Sequence, residues 1–260
     1  MIISKYYLYF IVYSFLGWIY ETCYCTIHEK SWENRGFLYG PCIPLYGAGA
    51  TLAQIIFVDY PIPFLRDGSY LKIFVGCAIG SFFLEYGTSF ILEKRFHARW
   101  WDYSHMPLNI NGRVCVPFTI CFGFAGILVT QIIIPPIENI VQMLPVLVVE
   151  LLALIFMFLF GMDMALTIST LTSFAKDFER INEQINTQMS ERVAALTSNL
   201  EAAKLKEQIS TEAVKQWIVN ATEPERGQFR HIAKFTHPVA SIKELMEKGS
   251  DFLRNRKKKQ

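Results

Sequence analysis

The amino-acid sequence predicts an all-α polytopic membrane protein with about five transmembrane helices and a long C-terminal cytoplasmic helical tail. Three observations carry that expectation. Of the 260 residues, 52% are hydrophobic and 15% aromatic, yet the last third is strongly charged, so the apolar content is concentrated upstream. Five apolar stretches approach the roughly 20 helical residues that a bilayer core of about 30 Å requires. From about Phe174 onward the chain turns polar, and its apolar residues recur every three or four positions. The expected domains are a transmembrane part, 1–170, and a cytoplasmic helical tail, 171–260.

The predicted spans are 3–25, 41–58, 70–92, 114–134 and 143–166. The second opens with Pro41 and Pro44 and contains Gly47 and Gly49, which leaves a short or re-entrant segment as the competing reading. Basic residues favour the cytoplasmic side. Lys30 and Arg35 follow the first span, and Lys94, Arg95, Arg99 and Arg113 follow the third, whereas the opposite side has little beyond Lys5 and Arg66, which sits beside Asp67. Five spans with the N-terminus outside and the C-terminus cytoplasmic satisfy the rule at every loop, placing the chain in a cell membrane as a multi-pass protein. The N-terminal apolar run is too long for a cleaved signal, holds Glu21 and lacks a small-residue cleavage site, so a retained helix is expected.

The spans repeat. Glu21 and Glu85 are each followed, eight positions on, by Glu-Lys (Glu29-Lys30 and Glu93-Lys94). An Asn/Arg/Gly cluster comes next (Asn34-Arg35-Gly36 and Asn111-Gly112-Arg113), and then Cys-x-Pro (Cys42-Ile43-Pro44 and Cys115-Val116-Pro117). This layout suggests a parallel duplication, 1–60 and 70–134, with a fifth helix added. The spacing from Asn to Cys differs between copies, so an insertion in the second loop is required, and chance matching is the alternative.

An ionised carboxylate at the centre of a spanning helix costs about 2.5–3.5 kcal/mol, so such residues normally face protein or water and have a partner. Ser14, Gly17 and Glu21 form one small, polar face, and Ser81, Glu85 and Thr88 form another; the two stripes are expected to pack on each other. Arg35, Arg99 and Arg113 are the nearest basic candidates. Either each Glu makes a structural ion pair, or the two acids form a site for a cation, a proton or a polar headgroup. Glu150 and Asp163 on the last span are thirteen residues apart, on nearly opposite faces of an ideal helix, so one continuous path through both is not expected.

The loop 95–113 holds Arg99-Trp100-Trp101-Asp102-Tyr103-Ser104, either an interfacial aromatic belt or a binding element. In the second case Arg99 and Arg113 hold a phosphate or carboxylate by paired hydrogen bonds, Trp100 or Trp101 covers an apolar part of the ligand, and Asp102 stands beside them. His97 and His105 are too few and too isolated for a metal site. Cys23 and Cys25 point to different helix faces, so no metal and no other cofactor is expected, and the six cysteines read as structural.

The strings Phe15-Leu16-Gly17-Trp18-Ile19-Tyr20-Glu21, Asn34-Arg35-Gly36-Phe37-Leu38-Tyr39-Gly40-Pro41, Glu85-Tyr86-Gly87-Thr88-Ser89, Arg99-Trp100-Trp101-Asp102-Tyr103-Ser104 and 109–115 resemble the CmpB-like family of bacterial membrane proteins, labelled putative ABC-transporter permeases of type IV. The resemblance covers roughly 3–166 and implies a multi-pass architecture and a separate ATPase partner. It supplies no substrate and no catalytic residues. The chain carries no Gly-x4-Gly-Lys-Ser/Thr loop, so it is not expected to hydrolyse ATP by itself, and no Glu-Ala-Ala coupling loop is seen.

In the tail, Phe174, Phe178, Ile181, Ile185, Met189, Val193, Leu196 and Leu200 form a narrow apolar stripe. It suits a coiled coil, self-association or a partner helix through 174–219, or else a helix lying against its own protomer. Pro224 and Gly227 mark a break, and a shorter helix follows near 241–254. The basic end after Arg254 is suited to anionic lipid, and nucleic-acid binding is not expected. Three function classes remain: a transporter permease subunit with an inner-leaflet polar site, a membrane-embedded enzyme acting on a lipid headgroup, and a non-catalytic scaffold that uses its helical tail. An enzyme is the less expected of these.

Overall fold

A computed structural model describes residues 2–30, 34–61, 69–193 and 199–257. Arg66, Asp67, Leu196 and the last residues of the basic end, 258–260, lie outside them. The chain divides into two compact units, Met1–Ile91 with Asp102–Leu166, and Leu92–Trp101 with Thr167–Gln260.

The first unit is built of helices. Among the described residues, four helices are long and apolar enough to cross a membrane: Ile2–His28, Tyr70–Phe96, Val116–Met143 and Val146–Ser190. The first belongs to α1 (Ile2–Glu29) and the second is α3 (Tyr70–Phe96). The third comprises α4 (Val116–Leu128), a π-turn at Val129–Ile133 and α5 (Ile134–Met143). The fourth belongs to α6 (Val146–Val193). Large apolar side chains such as Phe83, Phe124, Leu147 and Phe158 are exposed on their outer faces. That distribution suits lipid, which does not penalise apolar surface as water does.

The predicted second span is shorter than expected. It is α2 (Pro44–Gln54), continued by a π-turn at Ile55–Asp59, and its 16 residues rise only about 24 Å. Pro41 and Pro44 explain the late start, because proline suits the first turn of a helix and not its interior. Even so, α2 runs the length of α1. Tyr46 at its start donates a hydrogen bond to Glu21 (2.7 Å), Tyr13 donates to Gln54 (2.6 Å), and Tyr6 donates to Asp59 at its end (2.6 Å). The two helices are therefore antiparallel.

The remaining directions follow from contacts of the same kind. Leu84 lies beside Gly49, and Phe57 beside Gly76, so α3 reverses α2. Tyr46 packs on Phe122, while Ala50 joins the cluster that holds Val129 and Ile133, so the third long span runs with α2. Tyr7 donates to the Phe156 carbonyl (3.3 Å) and Phe10 meets Phe160 edge-on (5.5 Å), so α6 runs with α1. Five alternating elements account for that last direction. Without a crossing at α2, α6 would oppose α1.

Glycine sets the closest approach. A Cβ on Gly47 would run into Ser14 Oγ and the Phe10 carbonyl, and a Cβ on Gly17 would run into the Tyr46 ring. The backbone of Ile43 even donates to the Ser14 carbonyl (3.0 Å). The Ser14, Gly17 and Glu21 stripe consequently packs on α2, not on the Glu85 stripe of α3 as the sequence suggested. The small residues that mark the stripe are matched by a glycine on the neighbour in sequence.

The second unit is an aromatic core within the tail. Its helices are the latter part of α6, then α7 (Asn199–Asn220), α8 (Glu223–His231) and α9 (Ala240–Lys257). Phe178 stacks on Phe229 (5.2 Å), and both touch Trp217. Phe174, Phe178, Ile181 and Ile185 are buried here, so this part of the stripe lies against its own chain. The break expected at Pro224 falls between α7 and α8, while Gly227 lies inside α8. Pro224 sits in the first turn of α8, behind a capping box in which Thr222 and Glu225 satisfy each other's backbone N–H groups.

A two-stranded ribbon completes this unit: β1 (Ala98–Arg99) pairs antiparallel with β4 (Lys234–Phe235). Beside it the His97 and His237 rings meet edge-on (5.1 Å). Burial and the neighbouring His97 hold His237 below its ordinary pKa of 6.5, and a backbone hydrogen bond at Val239 and the Glu179 carboxylate only partly offset them.

Two tests follow. Gly47→Ala is expected to destabilise the protein by about 1–3 kcal/mol through overpacking, while Gly80→Ala, which meets nothing within 4 Å, is neutral; thermal unfolding in nanodiscs measures both. For His237, the unfolded chain binds more protons than the folded one between the depressed folded pKa and 6.5, so stability rises with pH through that window. Hydrogen-exchange protection around Lys234–Phe235, corrected for intrinsic rate, should fall as pH drops below 6.5, and His237→Gln should flatten that dependence.

Candidate functional site

The site grows from the two helix acids. Glu21 lies at the end of a stripe whose glycine, Gly17, leaves room for the Tyr46 ring, and the Tyr46 hydroxyl donates to Glu21 Oε2 at 2.7 Å. Arg35 Nε stands 4.0 Å from Glu21 Oε1, and about a quarter of the Glu21 side chain is exposed. The first acid thus has a hydroxyl donor and a cationic neighbour.

The loop that carries Arg35 is held by Asp163. The amides of Tyr39 and Gly40 donate to the two oxygens of that carboxylate, at 3.0 and 2.9 Å, and a Cβ on Gly40 would crowd Asp163 Oδ2. Asn34 ties the same loop to α1 by accepting from the Trp18 indole (2.7 Å). Asp163 thus does structural work for the loop.

Glu85 is placed differently. It is 96% buried by its 4% relative exposure. Its Oε1 receives a long hydrogen bond from Tyr103 (3.4 Å), and among the described residues Oε2 has no hydrogen-bond partner. Ser89, one turn further along the same face, is 3% exposed, and its hydroxyl also lacks a partner among the described residues.

Tyr103 reaches Glu85 because of a turn. The predicted structureless loop contains a hairpin, β2 (Asn109–Ile110) with β3 (Val114–Cys115). Asn111 (φ 53°) and Gly112 (φ 68°) both have positive φ, the pattern of a type I′ turn that Asn-Gly favours. The Gly112 carbonyl accepts from the Tyr103 amide (2.8 Å), and the Tyr103 ring stacks on Phe118 (4.9 Å). Burial, followed by the charges of Glu85, Cys115 and Glu21, pushes the Tyr103 hydroxyl above its ordinary range. It therefore stays protonated as a donor, and both carboxyls act on it.

The arginines named from the sequence part ways. Arg35 joins Glu21. Arg113 lies over the rings of Tyr86 (5.2 Å) and Phe90 (5.3 Å) and donates to the Tyr86 hydroxyl (3.3 Å). Arg99 forms a two-pronged pair with Glu93 (2.7 and 2.9 Å) inside the second unit, so its fork already holds a carboxylate. Asp102 accepts from the backbone and hydroxyl of Ser104 in a local turn, and Trp101 is half-buried in the second unit. Sequence reasoning missed Tyr46 and Tyr103 as carboxyl donors; Tyr103 could have been found from the Asn-Gly turn that aims it.

These features define a multi-pass α-helical membrane protein with two acids on separate helices, α1 and α3, each addressed by a tyrosine. Residues 8–168 match the family model described as "Putative ABC-transporter type IV", and the chain belongs to that family. No curated protein and no solved structure matches the chain.

Asp163→Asn, which removes the charge and one acceptor from the Tyr39–Gly40 amides, is expected to cost about 1–3 kcal/mol. Hydrogen exchange should show the loss concentrated at residues 34–41, with the tail unaffected.

Proposed function

We propose that the chain is the membrane-spanning permease subunit of a transporter, with a polar site built on Glu21 and Glu85 in the inner leaflet. One observation carries this reading: Glu85 is a buried carboxyl in an apolar helix with an unpartnered oxygen, a position that structure alone does not need. Family membership supports it, and so does the layout. The two acids occupy matching places in a parallel duplication, 1–60 and 70–134. In both copies Cys-x-Pro opens a helix with proline in its first turn, and a π-turn follows eleven to thirteen residues on, ending the element in the first copy and leading into α5 in the second. Polar sites at repeat interfaces beside interrupted helices are a recurring transporter design.

The clustering of Lys30, Arg35, Lys94, Arg95 and Arg113 in the loops after α1 and α3 favours a cytoplasmic location for those loops and an outside N-terminus. That orientation agrees with the alternating directions of the five elements. Burial of Phe174, Phe178, Ile181 and Ile185 within the tail's own core leaves less of the stripe for partner helices. The transport reading is therefore favoured over a scaffold, and an ATPase would be a separate subunit.

Isolation of the intact chain from its native membrane is the test. A nucleotide-binding subunit with a Gly-x4-Gly-Lys-Ser/Thr loop should copurify, and Glu85→Gln should leave the complex assembled but lower its transport-linked ATP hydrolysis at least tenfold. Recovery of the chain without any ATPase would overturn the permease reading.

A further inference from the structure

The two copies hold the same kinds of residue but pair them differently. In the first, a carboxyl meets a tyrosine hydroxyl and a guanidinium: Glu21 with Tyr46 (2.7 Å) and Arg35 (4.0 Å). In the second, the carboxyl meets a tyrosine hydroxyl, Glu85 with Tyr103 (3.4 Å), but the matching arginine is engaged elsewhere, over Tyr86 and Phe90. Glu85 Oε2, an acceptor, and Ser89 Oγ, a hydroxyl able to accept as well as donate, lie buried one helical turn apart, and nothing among the described residues satisfies either.

We infer that Glu85 and Ser89 bind the head of a small organic cation, a guanidinium or primary ammonium group, in the place that Arg35 takes beside Glu21. This rests on the permease reading for its role in transport, but not for binding itself. The chemistry is set by what is lacking. A buried carboxylate calls for positive charge, and two groups able to accept on one helix face call for several N–H donors on a single group, which guanidinium and ammonium supply. Tyr103, kept protonated by burial and by the nearby carboxyls, completes the shell from the other side of the carboxyl. Glu21, partly exposed and acting on the same hydroxyl, places a second negative charge near the site.

The full-length protein in phosphatidylcholine nanodiscs, with methylguanidinium or ethylammonium chloride as probe, provides the test. The expected result is a saturable rise in melting temperature at millimolar cation, absent with methylurea, the neutral analogue, and with sodium chloride. Glu85→Gln should abolish the rise, and Ser89→Ala should weaken apparent affinity three- to tenfold. Ser89→Ala serves where Glu85→Gln does not fold. An equal rise with methylurea or sodium, a rise that survives Glu85→Gln, or no rise at tens of millimolar would each overturn the inference. Cation binding without a copurifying ATPase would sink the permease reading and leave this one standing; an ATPase partner without cation binding would do the reverse.

Discussion

The desolvation of carboxyl groups inside apolar helices governs how this membrane domain is arranged. An acid taken out of water needs a donor or a positive charge, and several kcal/mol depend on its finding one. Tyr6 donates to Asp59, Tyr46 to Glu21 and Tyr103 to Glu85, while two backbone amides donate to Asp163. Each bond joins segments distant in sequence. The acids thus act as ties: Asp59 and Glu21 fasten the two ends of α2 along α1, and Asp163 fastens the loop that precedes α2.

Helix irregularity in the domain has a physical origin in its prolines. Pro135 and Pro136 have no N–H to offer the carbonyls a turn earlier, and the wider π-turn at Val129–Ile133 lies just ahead of them. Within that turn Thr130 donates its hydroxyl back to the Gly126 carbonyl (2.9 Å). Gly126 and Gly123 in turn accommodate Cys77 and Phe74 of α3. Interruption and close packing therefore coincide where α3 meets the third long span, much as Gly47 allows α2 to press on Ser14.

Four spans were legible because length and hydropathy suffice for a long apolar helix. The predicted second span was harder to read: its 16 residues fall short of a bilayer, and only contacts with Tyr6, Tyr13 and Glu21 reveal how far along α1 it reaches. Glu21 and Glu85 were visible as charges in apolar runs, whereas their tyrosine donors were not, since a tyrosine in an aromatic-rich membrane segment carries no mark of its partner. Arg99 was misjudged for a related reason. Glu93 sits six positions earlier, and the close return of the chain through His97, at φ 53°, lets it claim the guanidinium. In the tail the apolar period was correct, but periodicity alone does not say whether Phe178 will meet a second chain or, as here, Phe229 and Trp217 of its own.

The order of three residues explains why the two proposed repeats differ. In Asn34-Arg35-Gly36 the arginine precedes the glycine, which takes φ 145°, and Arg35 leaves the loop next to Glu21. In Asn111-Gly112-Arg113 the glycine comes first, so Asn111 and Gly112 form the two central positions of a tight hairpin and Arg113 leads into the returning strand. There it meets the ring faces of Tyr86 and Phe90, one and five residues past Glu85 on α3, rather than the carboxyl itself. The same turn offers its Gly112 carbonyl to Tyr103 and so brings that hydroxyl to Glu85. A single exchange of order thus supplies the second acid with a donor and directs its arginine elsewhere. On the proposed duplication, this difference pairs Glu21 with Arg35 and leaves Glu85 without the matching guanidinium, which is the asymmetry the proposed ligand site rests on.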